Sequence, residues 1–182
     1  NAFVLPQSNK IKTPESYQQK LDALLKDTIE FIKNNNIQSL YYPSSGLVNI
    51  ENHKDSEIYS IYKEQKKKEE KQFTELSNQY NFTLVISRIF SLLGPISSQP
   101  PKSNFISLIT QGIEFNKIII ESETDDTHSI CFLDHLVYVV IDLLFDSKKG
   151  LQYFFDAVDV SISLKDFSLQ VANCLNLEEK DI

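Results

Sequence analysis

The stretch Phe82-Thr-Leu-Val-Ile-Ser-Arg-Ile-Phe-Ser-Leu-Leu93 is apolar around nearly the whole circumference of a helical wheel. Gly94-Pro95 follows it, in the order of a helix-ending glycine and a helix breaker. We therefore predict a helix over 82–93. Because it is apolar all round, its neighbours must bury it.

The sequence on both sides of this stretch shows the spacing of amphipathic helices. Thr13 and Pro14 predict the N-cap and first turn of a helix whose apolar stripe continues to Asn34. A second helical region is predicted from about residue 55, with a charged, solvated middle at 63–72 that protrudes from the core. Further helices are predicted over 103–120, 127–147, 151–160 and 163–175.

Glycine is scarce, with 4 residues in 182. Turn-rich all-β folds and glycine-rich phosphate loops need backbone positions that glycine occupies most cheaply, so the count disfavours both. We predict an all-α fold of about six to seven helices, either a helical bundle or a short HEAT/armadillo-like α-solenoid segment. As an alternative within that fold, one small extended segment is predicted near residues 37–50. Residues 115–120 fit either a strand or a helix.

The segment from Gly94 to Lys102 is rich in proline and serine and predicts a linker. It separates an N-terminal helical half, residues 1–93, from an acidic C-terminal helical half, residues 103–182. Residues 94–182 carry 6 basic and 14 acidic side chains. We expect one structural domain, with a fragment of a longer protein as the alternative.

The basic residues are 17 lysines and the single arginine Arg88, although arginine is the side chain best suited to phosphates and base edges. We therefore expect no direct nucleic-acid partner. Charged residues interrupt the most apolar segment, so we also expect no membrane insertion. The two cysteines lie in apolar patterns, which predicts reduced thiols and an intracellular protein, cytoplasmic or nuclear.

One stripe of the predicted helix 127–147 carries imidazole, thiol and carboxylate groups, the ligands of transition metals. Without a Cys-x-x-Cys or His-Glu-x-x-His spacing to support it, a metal-dependent helical-bundle enzyme is the alternative function and not the leading one. The candidate ligands are His128, Cys131, His135 and Asp142.

The leading prediction is a non-enzymatic interaction or scaffold module within a larger intracellular assembly, because no catalytic motif is present and no cofactor is indicated. Its partner would be another protein with a basic surface, bound through exposed tyrosines and the acidic half. The candidate contacts are Tyr41, Tyr42, Tyr59, Tyr62, Asp156, Asp159 and Asp166. Acidic residues downstream of Ser122 and Thr124 make these two side chains candidate phosphorylation sites.

Overall fold

The computed structural model describes residues 13–50, 57–94, 104–120, 127–146 and 150–177. These residues form five α-helices, one short 3-10 helix and six β-strands. In chain order the elements are α1 (Pro14–Asn34), β1 (Ser39–Ser45), the 3-10 helix (Gly46–Asn49), α2 (Glu57–Tyr80), β2 (Thr83–Ile89), β3 (Ser91–Leu93), α3 (Asn104–Phe115), β4 (Thr127–Phe132), α4 (Leu133–Leu144), β5 (Gln152–Ala157), β6 (Val160–Ser163) and α5 (Leu164–Leu175).

The fold class is α/β, so the prediction of an all-α bundle or solenoid is wrong. Helices and strands alternate, and β1 pairs with β2 in parallel, with Ser39 opposite Thr83 and Ser45 opposite Ile89. The strand order of the first sheet is β1-β2-β5. Because α2 connects β1 to β2, these three elements form a βαβ unit, the building block of parallel sheets.

The stretch 82–93, predicted as a buried helix, is two strands. Phe82, Leu84, Val85 and Ile86 are fully buried, and a strand covered on both faces shows the same continuous apolar run as a buried helix. Asn81 decides between them, because its φ of 55° is left-handed and ends α2 before the run begins. The prediction that this stretch is buried is confirmed for these four side chains, and its helical form is corrected.

Two other predicted helices are also corrected. The segment 127–147 begins as the strand β4 and becomes helical only at Leu133. The segment 151–160 holds β5 and the start of β6. Near 37–50 the extended alternative is confirmed, since β1 occupies 39–45. In contrast, α1 begins after an N-cap at Thr13 and ends at Asn34, as its stripe predicts.

The step from scarce glycine to an all-α fold fails because asparagine takes left-handed positions. Asn81, Asn116 and Asn176 have φ values of 55°, 50° and 54°. Asparagine tolerates this region better than other side chains because its amide can bond to the local backbone. A chain with few glycines can therefore still turn between helices and strands.

The chain divides into two compact units, Asn1–Ile89 with Tyr138–Asp156, and Phe90–Val137 with Ala157–Ile182. The first unit packs α1 and α2 against the β1-β2 pair. The core side chains of this cluster are Leu25, Ile32, Tyr42, Phe73, Leu76, Phe82, Leu84 and Ile86.

The second unit contains a sheet of order β3-β4-β6 and the packed helices α3 and α5. β3 pairs with β4 in parallel and β6 pairs with β4 antiparallel. Its core cluster comprises Phe105, Leu108, Ile118, Ile130, Leu164 and Ala172.

The predicted linker lies largely outside the described residues, since 95–102 is not among them. The boundaries 1–93 and 103–182 therefore stay predictions. Across the helices that the structure does describe, none is both long and apolar enough to cross a membrane.

Candidate functional site

The charged middle of α2 is buried and lies in the first unit. The prediction that residues 63–72 form a solvated face is therefore wrong for one side of the helix. These polar positions recur three and four residues apart, so they share the face that packs on β1 and β2. The buried polar side chains of that face are Gln65, Lys66, Glu69 and Glu70.

Ser45 and Tyr62 meet at the carboxyl end of β1. Ser45 is the N-cap of the 3-10 helix, and its Oγ accepts a hydrogen bond of 3.3 Å from the N–H of Leu47. The Ser45 side chain also acts on the Tyr62 hydroxyl through a side-chain hydrogen-bond interaction. Burial raises the pKa of Tyr62, whereas the Ser45 hydrogen bond lowers this pKa.

Lys66 follows Tyr62 by one helical turn and is buried. Its Nζ lies 5.6 Å from the centre of the Tyr62 ring and 4.6 Å from the centre of the Tyr42 ring. The ammonium donates a hydrogen bond of 2.8 Å to the hydroxyl oxygen of Tyr42. Burial lowers the pKa of Lys66, while Glu69 works to raise it. Burial and the Glu69 charge raise the pKa of both phenols, and a cation this close acts in the opposite direction.

Glu70 fixes the same face of α2 to both strands. It accepts two hydrogen bonds from Arg88, of 3.0 Å from Nε and 2.7 Å from Nη2. Ser44 of β1 donates a third, of 2.6 Å. Burial would raise the pKa of Glu70, but the bonds from Arg88 and Ser44 outweigh it and hold this pKa below its ordinary value. These contacts of Glu70 with Arg88 and Ser44 therefore fix the position of α2 relative to β1 and β2.

A hydroxyl, a phenol and an ammonium so arranged can move a proton. Tyrosine and lysine both act as general acids or bases when their surroundings adjust their pKa values. Here Ser45 can stabilise the Tyr62 oxygen by hydrogen bonding, and Lys66 can stabilise its negative charge. The arrangement suits proton transfer to or from the oxygen of a substrate hydroxyl or carbonyl group.

An apolar groove with a volume of about 530 Å³ lies beside this face. Residues of α1, β1 and α2 line it, and Tyr62 and Lys66 are among them. Small-molecule sites are apolar clefts of comparable volume with a few polar groups. Tyr62 and Lys66 are thus two of the polar side chains in the wall of the groove.

The predicted metal stripe does not exist as one helical face. His128 and Cys131 lie on β4, whereas His135 and Asp142 lie on α4. His128 instead packs edge to face against Phe105, with ring centres 5.5 Å apart. Within the described ranges, no group of three or more His, Cys, Asp or Glu side chains is arranged to hold a metal ion.

Cys131 and His135 do meet, at Asp159 in the second unit. One Asp159 oxygen contacts His135 Nδ1, and the other accepts a 2.6 Å hydrogen bond from the N–H of Phe132. The main-chain hydrogen bond is the largest cause of a lowered pKa for Asp159. Burial raises the pKa of Cys131 to about 11, so the thiol stays protonated near neutral pH.

The seven predicted partner contacts have different surroundings. Tyr42 is buried, so its predicted exposure is wrong. Tyr41, Tyr59 and Tyr62 are half-buried, and the Tyr41 hydroxyl bonds to that of Ser87 at 2.8 Å.

Of the three acidic contacts, Asp156 and Asp166 are exposed and Asp159 is half-buried. Their role in binding a partner stays a prediction. The two candidate phosphorylation sites, Ser122 and Thr124, lie outside the described residues.

The sequence interpretation named Tyr62 only as a surface anchor and did not identify Ser45, Lys66 or Glu69. The signal that could have found them is the spacing Tyr62-x-x-x-Lys66, which places both side chains on one helix face just after the Pro43-Ser-Ser-Gly46 turn. It was hidden because residues 63–72 contain no apolar side chain.

The chain matches solved structures of sugar-nucleotide enzymes. An ADP-L-glycero-D-manno-heptose-6-epimerase of Helicobacter pylori matches with a TM-score of 0.72 and 14% identity, over 92% of this chain and 55% of that one. A UDP-N-acetylglucosamine 4-epimerase of Methanobrevibacter ruminantium matches at 0.69 and 22%, over 90% and 55%. A dTDP-glucose 4,6-dehydratase of Bacillus anthracis, in complex with NAD, matches at 0.68 and 15%, over 93% and 55%.

The fold is Rossmann-like. The chain spans about 55% of the length of these three enzymes. No protein-family model and no curated protein matches the sequence. The expected non-enzymatic helical scaffold and its alternative, a metal-dependent helical-bundle enzyme, are both wrong, because both assumed an all-α chain. The neighbours of this α/β chain are epimerases and a dehydratase, which also contradicts the prediction that it is not an enzyme.

The residues of this chain do not fit the phosphate-binding turn of a dinucleotide. That turn in Rossmann folds has the pattern Gly-x-Gly-x-x-Gly. The four glycines stand at 46, 94, 112 and 150, too far apart to form it. We therefore derive no reaction step through NAD from these residues.

Proposed function

We propose that this chain carries the proton-transfer site of a sugar-nucleotide epimerase or dehydratase. The observation that supports this most is the Ser45–Tyr62–Lys66 arrangement on β1 and α2, with the apolar groove beside it. The likeness to epimerases and a dehydratase supplies the reaction class.

Tyr62 is the acid or base in this proposal. Its oxygen exchanges a proton with the oxygen of a sugar hydroxyl or carbonyl group. The hydrogen bond from Ser45 stabilises the ionised phenol and orients the reacting oxygen.

Lys66 supplies a positive charge next to that phenol. Because the ammonium is buried, its field is less screened than that of a surface lysine. The charge stabilises the phenolate that forms when Tyr62 gives up its proton.

The test is a turnover assay with the protein expressed from its complete natural reading frame. NAD and a panel of UDP-, ADP- and dTDP-linked sugars are added, and products are separated by ion-exchange chromatography and identified by mass spectrometry. We expect epimerisation or dehydration of at least one sugar, with a loss of about 10²-fold or more in Ser45→Ala. Absence of turnover across the panel, with folded protein and NAD present, would contradict the proposal.

A further inference from the structure

Glu69 is a buried carboxylate of α2 that the proposed mechanism does not use. It is 7% exposed and lies one turn beyond Lys66, on the same helix face. Its oxygen Oε2 lies 3.5 Å from Lys66 Nζ and accepts a hydrogen bond from the hydroxyl of Tyr42. Lys66 in turn donates to Tyr42, so the three groups form a closed triangle.

The second oxygen of Glu69 is held as well. Oε1 accepts a hydrogen bond of 3.0 Å from Gln65 on the same helix. Gln65 accepts one of 3.4 Å from Gln18 on α1. Both oxygens therefore have fixed partners, and Glu69 is oriented from α1, α2 and β1 together.

The other charged and titratable groups around the site come from each element packed on it. Tyr17 of α1 and Tyr59 of α2 interact electrostatically with the cluster. Glu70 lies on the same helix, and its charge is matched by Arg88 of β2. Glu70 also acts on Lys66 and Tyr42, but Glu69 acts more strongly on both and is the carboxylate that acts on Tyr62.

We propose that Glu69 is a positioning residue, which holds the Lys66 ammonium against Tyr42 and offsets part of its positive charge at Tyr62. This inference rests on the proposed function, because it gives Glu69 a role only if Tyr62 and Lys66 transfer a proton. In the structure, the Lys66 ammonium donates a hydrogen bond to the Tyr42 oxygen and lies 5.6 Å from the centre of the Tyr62 ring. The carboxylate thereby sets the proton affinity of a phenol that it does not touch.

The electrostatics of the site agree with this geometry. After burial, the Glu69 charge is a cause of the raised pKa of Tyr62. The same charge opposes the lowering of the Lys66 pKa that burial produces. Neutralising Glu69 should therefore make Tyr62 a stronger acid.

The experiment is a spectroscopic titration of Tyr62 in the 182-residue chain. The chain contains no tryptophan, so absorbance at 295 nm between pH 8 and 12 reports its tyrosines. The curve of Tyr62→Phe is subtracted from that of the parent to isolate Tyr62, and the same subtraction is made in the Glu69→Gln background. Circular dichroism at each pH confirms that every variant is folded.

We expect the Tyr62 transition to fall by about one pH unit in Glu69→Gln. Glu69→Asp keeps the charge and should keep the transition closer to that of the parent. Glu75→Gln removes an exposed carboxylate from the same helix and should leave it unchanged. No shift, or a rise, in folded Glu69→Gln overturns the role of Glu69. Because the titration needs no substrate, it is independent of the turnover assay that tests the proposed function.

Discussion

Two polar clusters of this protein contain acids and bases, and they differ in how their groups are held. In the first unit, contacts between side chains hold Ser45, Tyr62 and Lys66 together, and Tyr62 and Lys66 line the groove. In the second unit, Asp159 is held mainly by the main-chain N–H of Phe132 and faces a protonated Cys131.

The comparison shows that an assembly of titratable residues is not by itself a reactive site. Cys131, His135 and Asp159 resemble a nucleophile, a base and an orienting acid by residue type. Yet the Cys131 side chain is buried with its pKa raised to about 11, the opposite of what a nucleophilic thiol needs. Burial raises the pKa of Tyr62 as well, but Ser45 lowers it through a side-chain hydrogen bond and the Lys66 ammonium lies 5.6 Å from the centre of its ring.

The largest effect that we expect on stability is in the first cluster. Arg88→Met leaves Glu70 buried beside Ser44 without its cation, and Arg88 itself is partly exposed, so unfolding should become easier by about 2 to 3 kcal/mol. Urea unfolding at pH 7 measures this change. Lys68→Met breaks the exposed pair with Asp22 and should cost less than about 1 kcal/mol. Equal losses in the two variants would remove the distinction between buried and surface pairs.

Acid should reduce the difference between the parent and Arg88→Met. The pKa of Glu70 is lower in the folded protein than its ordinary value of 4.5, so the folded state binds fewer protons than the unfolded state. The stabilisation that ionised Glu70 contributes is therefore complete above its ordinary pKa of 4.5. It is lost as the pH falls through the lower pKa of the folded state. The difference in unfolding free energy between the parent and Arg88→Met should therefore be smaller at pH 3 than at pH 7. A difference that is the same at both pH values would contradict the assignment.

The two cysteines should differ in reactivity. Cys131 is 3% exposed with a pKa of about 11, whereas Cys174 is exposed. At pH 8, about one Cys131 side chain in a thousand is a thiolate, so its reaction with Ellman's reagent should be at least about tenfold slower. The variant Cys174→Ser retains Cys131 as its one thiol, so the rate of Cys131 labelling can be measured directly. Fast labelling of that variant would indicate that the second cluster is reactive.

The smallest expected effect is that of Asp159→Asn. The amide oxygen can still accept from the Phe132 N–H, so we expect a loss of about 1 kcal/mol from the weaker bond and the missing charge. Turnover should stay within about twofold of the parent. A loss of 100-fold in turnover would place the chemistry in the second unit and reverse the comparison.

Sequence patterns located the helices whose ends carry local signals. Thr13 and Pro14 predict the start of α1 because the cap and first turn depend on neighbouring residues only. The run 82–93 ends at Gly94-Pro95, but that local signal does not distinguish a helix from a strand. Whether it becomes a strand depends on a partner 44 residues earlier, since Ser39 pairs with Thr83.

The burial of the charged residues around the candidate site could not be predicted from the sequence for a similar reason. A helix segment without apolar residues is usually solvated, and nothing in residues 63–72 shows that Lys66, Glu69 and Glu70 are buried. Their burial is possible because Tyr42 and Arg88, on two different strands, supply the opposing groups. Those contacts become evident only when the fold is known.

The most direct test of the proposed proton-transfer site is the turnover of Tyr62→Phe on a sugar nucleotide that the panel assay identifies as a substrate. Tyr80→Phe removes the same hydroxyl from the exposed end of the same helix and is the matched control. We predict that Tyr62→Phe loses about 10²- to 10⁴-fold in kcat while Tyr80→Phe stays within about twofold. A folded Tyr62→Phe protein that turns over as fast as Tyr80→Phe would contradict the account.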